Sequence, residues 1–232
     1  MRRLTALTAI ALFALVFASV ALTYIEPAAL SPLALSYVRH VPQDLNAPNV
    51  VTGILLTYRA FDTLGEVAAL FMAAASVGLV VGAGWRRAGA TPAQEPAPPR
   101  EASEIVRTGA QVLAPLVAIF AAYIIMNGHL SAGGGFQGGA VLAGCAALIL
   151  MADPQKRLNL KFLGAVESLA GVLLVLVGVA GVVFAGGFLD NRVLPLGTFG
   201  AFFSAGAIPL LSVLLGVKVG CELSVILEGF RA

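Results

Sequence analysis

The chain is patterned in blocks. Long runs of Leu, Val, Ala, Ile, Phe and Gly alternate with short clusters of charge, proline and asparagine. A helix needs about 20 mostly apolar residues, at ~1.5 Å rise each, to cross the hydrocarbon core of a bilayer. Leu4 to Ile25 is the first such run, preceded by Arg2 and Arg3. Ser19–Val20–Ala21 resembles a signal-peptidase site. The run exceeds the ~7–15 residues of a signal core, so it reads as a retained helix. Glu26 to Pro48 carries four prolines and reads as a loop. Asn49 to Leu56 is apolar but too short to span, and reads as a short helix lying at the interface. The second span runs from Asp62 to Trp85 and ends on Trp85–Arg86–Arg87, an interfacial aromatic followed by two cations.

Ala88 to Arg100 is rich in Pro, Ala and Gly, the composition of a flexible linker. Glu101 to Arg107 is a polar helix start, and the third span follows from Thr108 to Met126 with Pro115 inside it. Asn127 to Gly134 is a tight glycine-rich loop, and the fourth span runs from Gly135 to Met151. A charged loop, Asp153 to Lys161, leads to the fifth span, Leu160 to Phe184. Gly186 to Arg192 is a polar turn, and the sixth span extends from near Leu194 to about Leu227. The expected fold is an all-α, polytopic integral membrane protein with about six transmembrane helices. Its expected organisation is a two-span module over 1–87, a linker over 88–103 and a four-span module over 104–232.

Composition agrees with the blocks. Hydrophobic residues make up 59% of the 232 positions and charged residues 11%, with a mean hydropathy of +0.94. A soluble domain carries roughly a quarter charged residues. A formal net charge of +2 is too small to imply a nucleic-acid partner. The positive-inside rule orients the spans. With the N-terminus in the cytoplasm, Arg2, Arg3, Arg86, Arg87, Arg100, Arg107, Lys156, Arg157, Lys161, Lys218 and Arg231 lie inside or at the inner surface. Arg39, Arg59 and Arg192 lie outside. Both termini are therefore expected to be cytoplasmic. Cys145 and Cys221 have no metal or redox spacing and read as small buried residues.

Few residues could carry chemistry. Gly133–Gly134–Gly135–Phe136–Gln137–Gly138 formally matches GxGxxG, but a membrane helix precedes it where a dinucleotide site needs a strand. Gly134/Gly138 and Gly135/Gly139 are small pairs four apart, suited to close helix packing. An irregular turn whose free amides meet an ion or water is the other reading. His129, just before the turn, reads as a solvated or capping residue, with a proton-relay role as the alternative. Arg59, Asp62 and Glu66 share a helix face: either a salt bridge that starts the helix, or an ion-pathway cluster with Glu66 deepest. Gly164, Gly171 and Gly178 recur every seven residues on the fifth span. Glu167 shares their face, which is expected to pack on protein about two turns from the inner edge. Snorkelling, a local hydrogen bond and ion transport all remain open for Glu167. Lys218 and Glu222, four apart, read as a surface ion pair at the inner end of the last helix. No cysteine set, haem pair, flavin motif or metal cluster stands out, so no cofactor is expected.

Asn127–Gly128–His129–Leu130–Ser131–Ala132–Gly133–Gly134–Gly135–Phe136–Gln137–Gly138–Gly139 resembles the signature of the MnhB-type subunit of the multisubunit Mrp/Mnh-type Na⁺/H⁺ antiporters. The family pattern is close to HGHxxPGGGFxGG, and here Asn127 stands for the first His and Ala132 for the Pro. The resemblance extends over about Glu104 to Leu227. Asn49–Val50–Val51–Thr52–Gly53–Ile54–Leu55–Leu56 and Tyr58–Arg59–Ala60–Phe61–Asp62–Thr63–Leu64–Gly65–Glu66 resemble the C-terminal part of the large Mrp antiporter subunit. In membrane-bound hydrogenase complexes that part is a small separate subunit. The resemblance implies a fusion of two neighbouring modules, in the cytoplasmic membrane of a prokaryote. The implied partners are other antiporter subunits, with or without a hydrogenase-like redox arm; the ions are Na⁺ and H⁺. The chain itself would be non-catalytic, and Glu66 becomes a candidate cation-pathway residue. A membrane subunit of a redox-driven complex, such as a membrane-bound hydrogenase, is the alternative function.

Overall fold

The computed structural model describes residues 2–25, 28–88 and 102–231. The described residues are all-helical, without strands. Six helices are long and apolar enough to cross a membrane. They are α1 (Arg2–Thr23), α4 (Ala60–Ala88), α5 (Glu104–Met126), α6 (Gly135–Ala152), α7 (Leu160–Phe184) and α8 (Ile208–Arg231). Two short helices, α2 (Pro32–Leu45) and α3 (Val50–Gly53), precede α4, and α3 continues into a π-helical turn over Ile54–Tyr58. The inferred linker falls almost wholly on 89–101, outside the described residues.

The chain divides into two compact units, Met1–Ser36 and Tyr37–Ala232. In the first, α1 exposes large apolar side chains on every side, Leu4, Phe13 and Leu22 among them. A helix that is apolar all round is suited to lipid as its solvent.

In the second unit, α8 is the central helix. It packs against α4, α5, α6 and α7. Its buried face is unusual in carrying Ser212, Lys218, Glu222, Ser224 and Glu228. The outward faces of α5 and α7 are apolar instead, with Leu116, Ile119, Phe120, Val172, Leu176 and Val183 exposed. This inversion of the soluble-protein pattern follows from a surrounding hydrocarbon that cannot satisfy polar groups.

Glycines set the closest helix crossing. A Cβ on Gly139 would lie 2.7 Å from the Gly216 carbonyl oxygen of α8, and one on Gly216 would lie 2.6 Å from Ile125 of α5. Gly135 meets the Ser212 carbonyl in the same way. The α6–α8 contact is therefore backbone on backbone, as small residues four apart allow.

The two ends of the bundle gather different segments. At one end the α6–α7 loop meets the end of α8: Arg157 pairs with Glu228 at 3.3 Å, and Arg231 donates to the Pro154 carbonyl at 2.7 Å. At the other end, the segment around α3, the α5–α6 turn and the stretch between α7 and α8 come together.

Two sequence expectations change here and a third gains detail. The loop expected over Glu26–Pro48 contains α2, which starts on Pro32 behind a Ser31 side chain that accepts from Ala34 N at 3.2 Å. Proline costs nothing at the first helical position, where its missing N–H would be unpaired anyway. The segment Asn49–Leu56 has one side sunk into the protein, with Thr52, Gly53 and Leu56 buried, while Val51 is exposed. The last span starts at Ile208, not near Leu194. Gly197 and Gly206, at φ +65° and +59°, turn the chain in the left-handed region and stop a helix from forming earlier.

Candidate ion-handling site

Asn49 locks the α3 segment onto the glycine turn. Its Oδ1 caps α3, accepting from Val51 N at 3.1 Å and Thr52 N at 3.3 Å. Its Nδ2 donates to the carbonyls of Gly128 and Ser131, both at 2.7 Å. Its backbone N–H donates to the His129 carbonyl at 3.0 Å, and the Thr52 hydroxyl donates to Gly128 O at 2.7 Å. The turn itself needs glycine: Gly134 sits at φ +145°, and a Cβ on Gly128 would lie 2.6 Å from Gly134 Cα. On the far side, buried Asn191 donates to Leu56 O at 2.7 Å and to the Thr57 hydroxyl. These bonds satisfy carbonyls around the π-helical turn, where the regular helical ladder is interrupted.

His129 is fully buried rather than solvated. Its Nε2 lies 3.0 Å from the Phe202 carbonyl. A carbonyl only accepts, so Nε2 carries the proton in this contact. Nδ1 has no hydrogen-bond partner. Burial pushes the imidazole below its usual range, against the opposing pull of the carbonyls of Phe202, Ala201 and Met126.

Glu66 is exposed on the surface of the unit and borders a cavity of about 370 Å³. The cavity also takes in Thr52, Thr63, Gly134, Gly135 and Gln137. Arg59 and Asp62 pair with each other at 2.6 Å, largely in the open, and Glu66 is not part of that pair. The structure thus brings Glu66 to the glycine turn rather than to Arg59.

At the same end of the bundle, Arg192 holds the Asp190 carboxyl down at about 2 by a side-chain hydrogen bond. Burial, followed by the hydrogen bond to Asp44 at 2.7 Å, pushes the Tyr58 phenol up to about 12.

The charged group that the sequence most misplaced is Lys218. It is not at a surface. With α8 beginning at Ile208, Lys218 is ten residues in, about 15 Å from the helix start and about 20 Å from Arg231. Its Nζ lies 2.8 Å from Glu167 Oε1 of α7 and 3.4 Å from Glu222 Oε2. The side chains of Lys218, Glu167 and Glu222 are 10%, 14% and 0% exposed. Glu167 therefore neither snorkels nor stands alone: it is an ion-pair partner of Lys218. The glycine stripe beside it is uneven. Gly171 touches the Lys218 stem, and a Cβ on Gly178 would lie 2.6 Å from the Phe188 ring. Gly164 faces open space, so the expected protein-packed face does not reach that far. Among the described residues no group of three or more His, Cys, Asp or Glu could hold a metal ion.

Comparison with known proteins matches residues 105–225 to a domain related to the MnhB subunit of Na⁺/H⁺ antiporters, and residues 1–97 to MbhE, a subunit of MBH. An uncharacterized protein of Methanocaldococcus jannaschii, MJ1307, is 30% identical over 196 residues, covering 76% of this chain and 74% of its own length. The B-type subunit of the Na⁺/H⁺ antiporter of Bacillus subtilis (strain 168) is 33% identical over 103 residues, 42% of this chain and 66% of that protein. Among solved structures, a chain of the membrane-bound sulfane sulfur reductase, an archaeal respiratory membrane complex, aligns with a TM-score of 0.79 and 31% identity. That alignment covers 99% of this chain and 97% of the other. A chain of the Mrp complex from Dietzia sp. DQ12-45-1b shares the fold at a TM-score of 0.73 and 23% identity; all of this chain matches 26% of that one. The protein is a multi-pass membrane protein that belongs to the family of domains related to the MnhB subunit of Na⁺/H⁺ antiporters.

Proposed function

We propose that this chain is a non-catalytic membrane subunit of a multisubunit Na⁺/H⁺ antiporter module, and that it contributes to assembly and to the cation pathway. The observation that carries this reading is the shared cavity, in which Glu66 from the N-terminal half borders the glycine turn of the C-terminal half. A carboxylate beside backbone and hydroxyl oxygens is chemistry that a hard cation accepts in exchange for a proton. Its partners are antiporter-type subunits of a prokaryotic cytoplasmic membrane. A second reading, a membrane subunit of a redox-driven complex, is favoured by the end-to-end correspondence with the sulfane sulfur reductase chain. The organisation into a 1–87 module and a 104–232 module joined by a linker belongs to this proposal. So does the orientation with both termini in the cytoplasm. It is checked by impermeant thiol labelling of Gly186→Cys from outside and of Gln155→Cys only after permeabilisation.

The experiment that tests the pathway is Glu66→Gln in the assembled complex. The amide keeps size and hydrogen bonding but cannot titrate. The expected result is normal assembly with Na⁺-dependent proton exchange in vesicles reduced at least tenfold. Unchanged exchange in a fully assembled Glu66→Gln complex would remove Glu66 from the pathway.

A further inference from the structure

The group at the middle of α8 has a chemistry of its own. Two carboxylates and one ammonium, fully ionised, carry a net negative charge in a place with little water. Glu222 is 0% exposed, and its Oε1 is buried without a hydrogen-bond partner. On the other side, Glu167 and Lys218 border an open groove between α4 and α7 of about 410 Å³, with Phe71, Ser168, Gly171 and the outward-facing Val172 and Leu176. The Phe71 ring of α4 lies 5.8 Å from Lys218 Nζ. Beside Gly220, α6 presents the uncharged Gly139 and Leu142. A further titratable neighbour is the Cys221 thiol on α8 itself.

We propose that Glu222, Lys218 and Glu167 form a proton-transfer station within the membrane-spanning bundle, passing one proton between buried Glu222 and groove-facing Glu167. This deepens the cation/proton reading above and rests on it for the direction of use. A site for Na⁺ fits less well, because the cation position between the carboxylates is already taken by the ammonium. One extra proton on Glu222 brings the triad to neutrality, the state a poorly hydrated site favours. Transfer needs no further reactant. A Lys218 N–H bond breaks as an O–H bond forms on Glu167 Oε1, across 2.8 Å. The freed lone pair takes the proton of the Glu222 carboxyl across 3.4 Å, breaking that O–H bond and restoring the ammonium. Lys218 ends as it began, Glu222 becomes ionised and Glu167 becomes protonated.

The test is infrared difference spectroscopy on the intact complex across a pH step, with exchange measured in parallel. The expected wild-type signal is the C=O stretch of a protonated, poorly hydrated carboxyl at neutral pH. It should be lost in Glu222→Gln and moved in Glu222→Asp, which keeps a carboxyl. Exchange should fall at least tenfold in an assembled Glu222→Gln complex. Absence of any such band in the wild type overturns the proposal without recourse to a variant. A band that survives Glu222→Gln, or full exchange by that assembled variant, overturns it equally. Failure of the Glu66→Gln test alone leaves the band in place, so the two readings fail separately.

Discussion

Replacing Asn49 by alanine should destabilise the fold by releasing α3 from the glycine turn. The side chain does two jobs at once. As an N-cap of α3 it contributes about 1 kcal/mol. As a double donor it satisfies the carbonyls of Gly128 and Ser131 at 2.7 Å. Gly128 O keeps the Thr52 hydroxyl, so only Ser131 O is stripped of its donor, a loss of about 1–3 kcal/mol if water cannot replace it. The sum is about 2–4 kcal/mol. For a chain of this size 1 kcal/mol moves Tm by roughly 2–4 °C, so Asn49→Ala should lower the melting temperature in mild detergent by about 8 °C. Asn49→Ser keeps a capping oxygen but cannot reach the turn, and should recover only about 1 kcal/mol of the loss. The turn should also loosen first, seen as faster amide exchange at Gly128 to Gly134. A shift of less than about 2 °C for Asn49→Ala, with unchanged exchange at the turn, would refute the idea that this asparagine ties the two halves together.

Two further outcomes follow from the geometry. Gly139→Leu should destabilise the chain by about 3 kcal/mol and reduce co-purifying subunits, because its Cβ would press on the Gly216 carbonyl. Gly144→Leu, where a Cβ meets nothing within 4 Å, is the control and should be neutral. The third concerns pH. Burial lowers the folded pKa of His129 below the 6.5 of the free side chain. Below pH 6.5 the unfolded chain therefore binds a proton that the folded chain does not. Stability is full above that value and falls as the pH drops toward the folded pKa, by at most about 1.4 kcal/mol per unit. Melting curves of the wild type and His129→Gln should converge in their pH dependence above pH 6.5 and separate below it. Parallel curves throughout would mean that His129 titrates normally.

The spans were legible because hydrocarbon imposes a length and a composition that few other elements share. Leu160–Phe184 was read to the residue. What failed had a local cause. The prolines that suggested a loop over 26–48 include Pro32, which starts α2, and Pro42, near its end. Between Leu194 and Ala207 the sequence is apolar enough to pass for helix. Its glycines adopt conformations that no helix uses, and hydropathy does not register them. That error carried Lys218 toward the membrane surface and hid its meeting with Glu167, 51 residues away in sequence. Asn49 and Asn191 were overlooked as binding elements for a related reason. Their partners lie 79 and 135 residues away, and an asparagine in an apolar stretch is the only local sign of such a bond. Helical spacing put Glu66 on one face with Arg59 and Asp62, but its neighbour in space is the glycine turn, which no local spacing connects to it.

Under the proposed function this chain works as one subunit of a cation/proton-translocating assembly and not by itself. Affinity purification from native membranes in a mild detergent, followed by reconstitution, tests it most directly. The expected result is stoichiometric recovery of antiporter-type membrane subunits, with or without a redox arm. Vesicles containing the whole assembly should show Na⁺-dependent proton exchange, and vesicles containing this chain alone should show none. Recovery of the chain as a lone species that exchanges Na⁺ for protons unaided would contradict it.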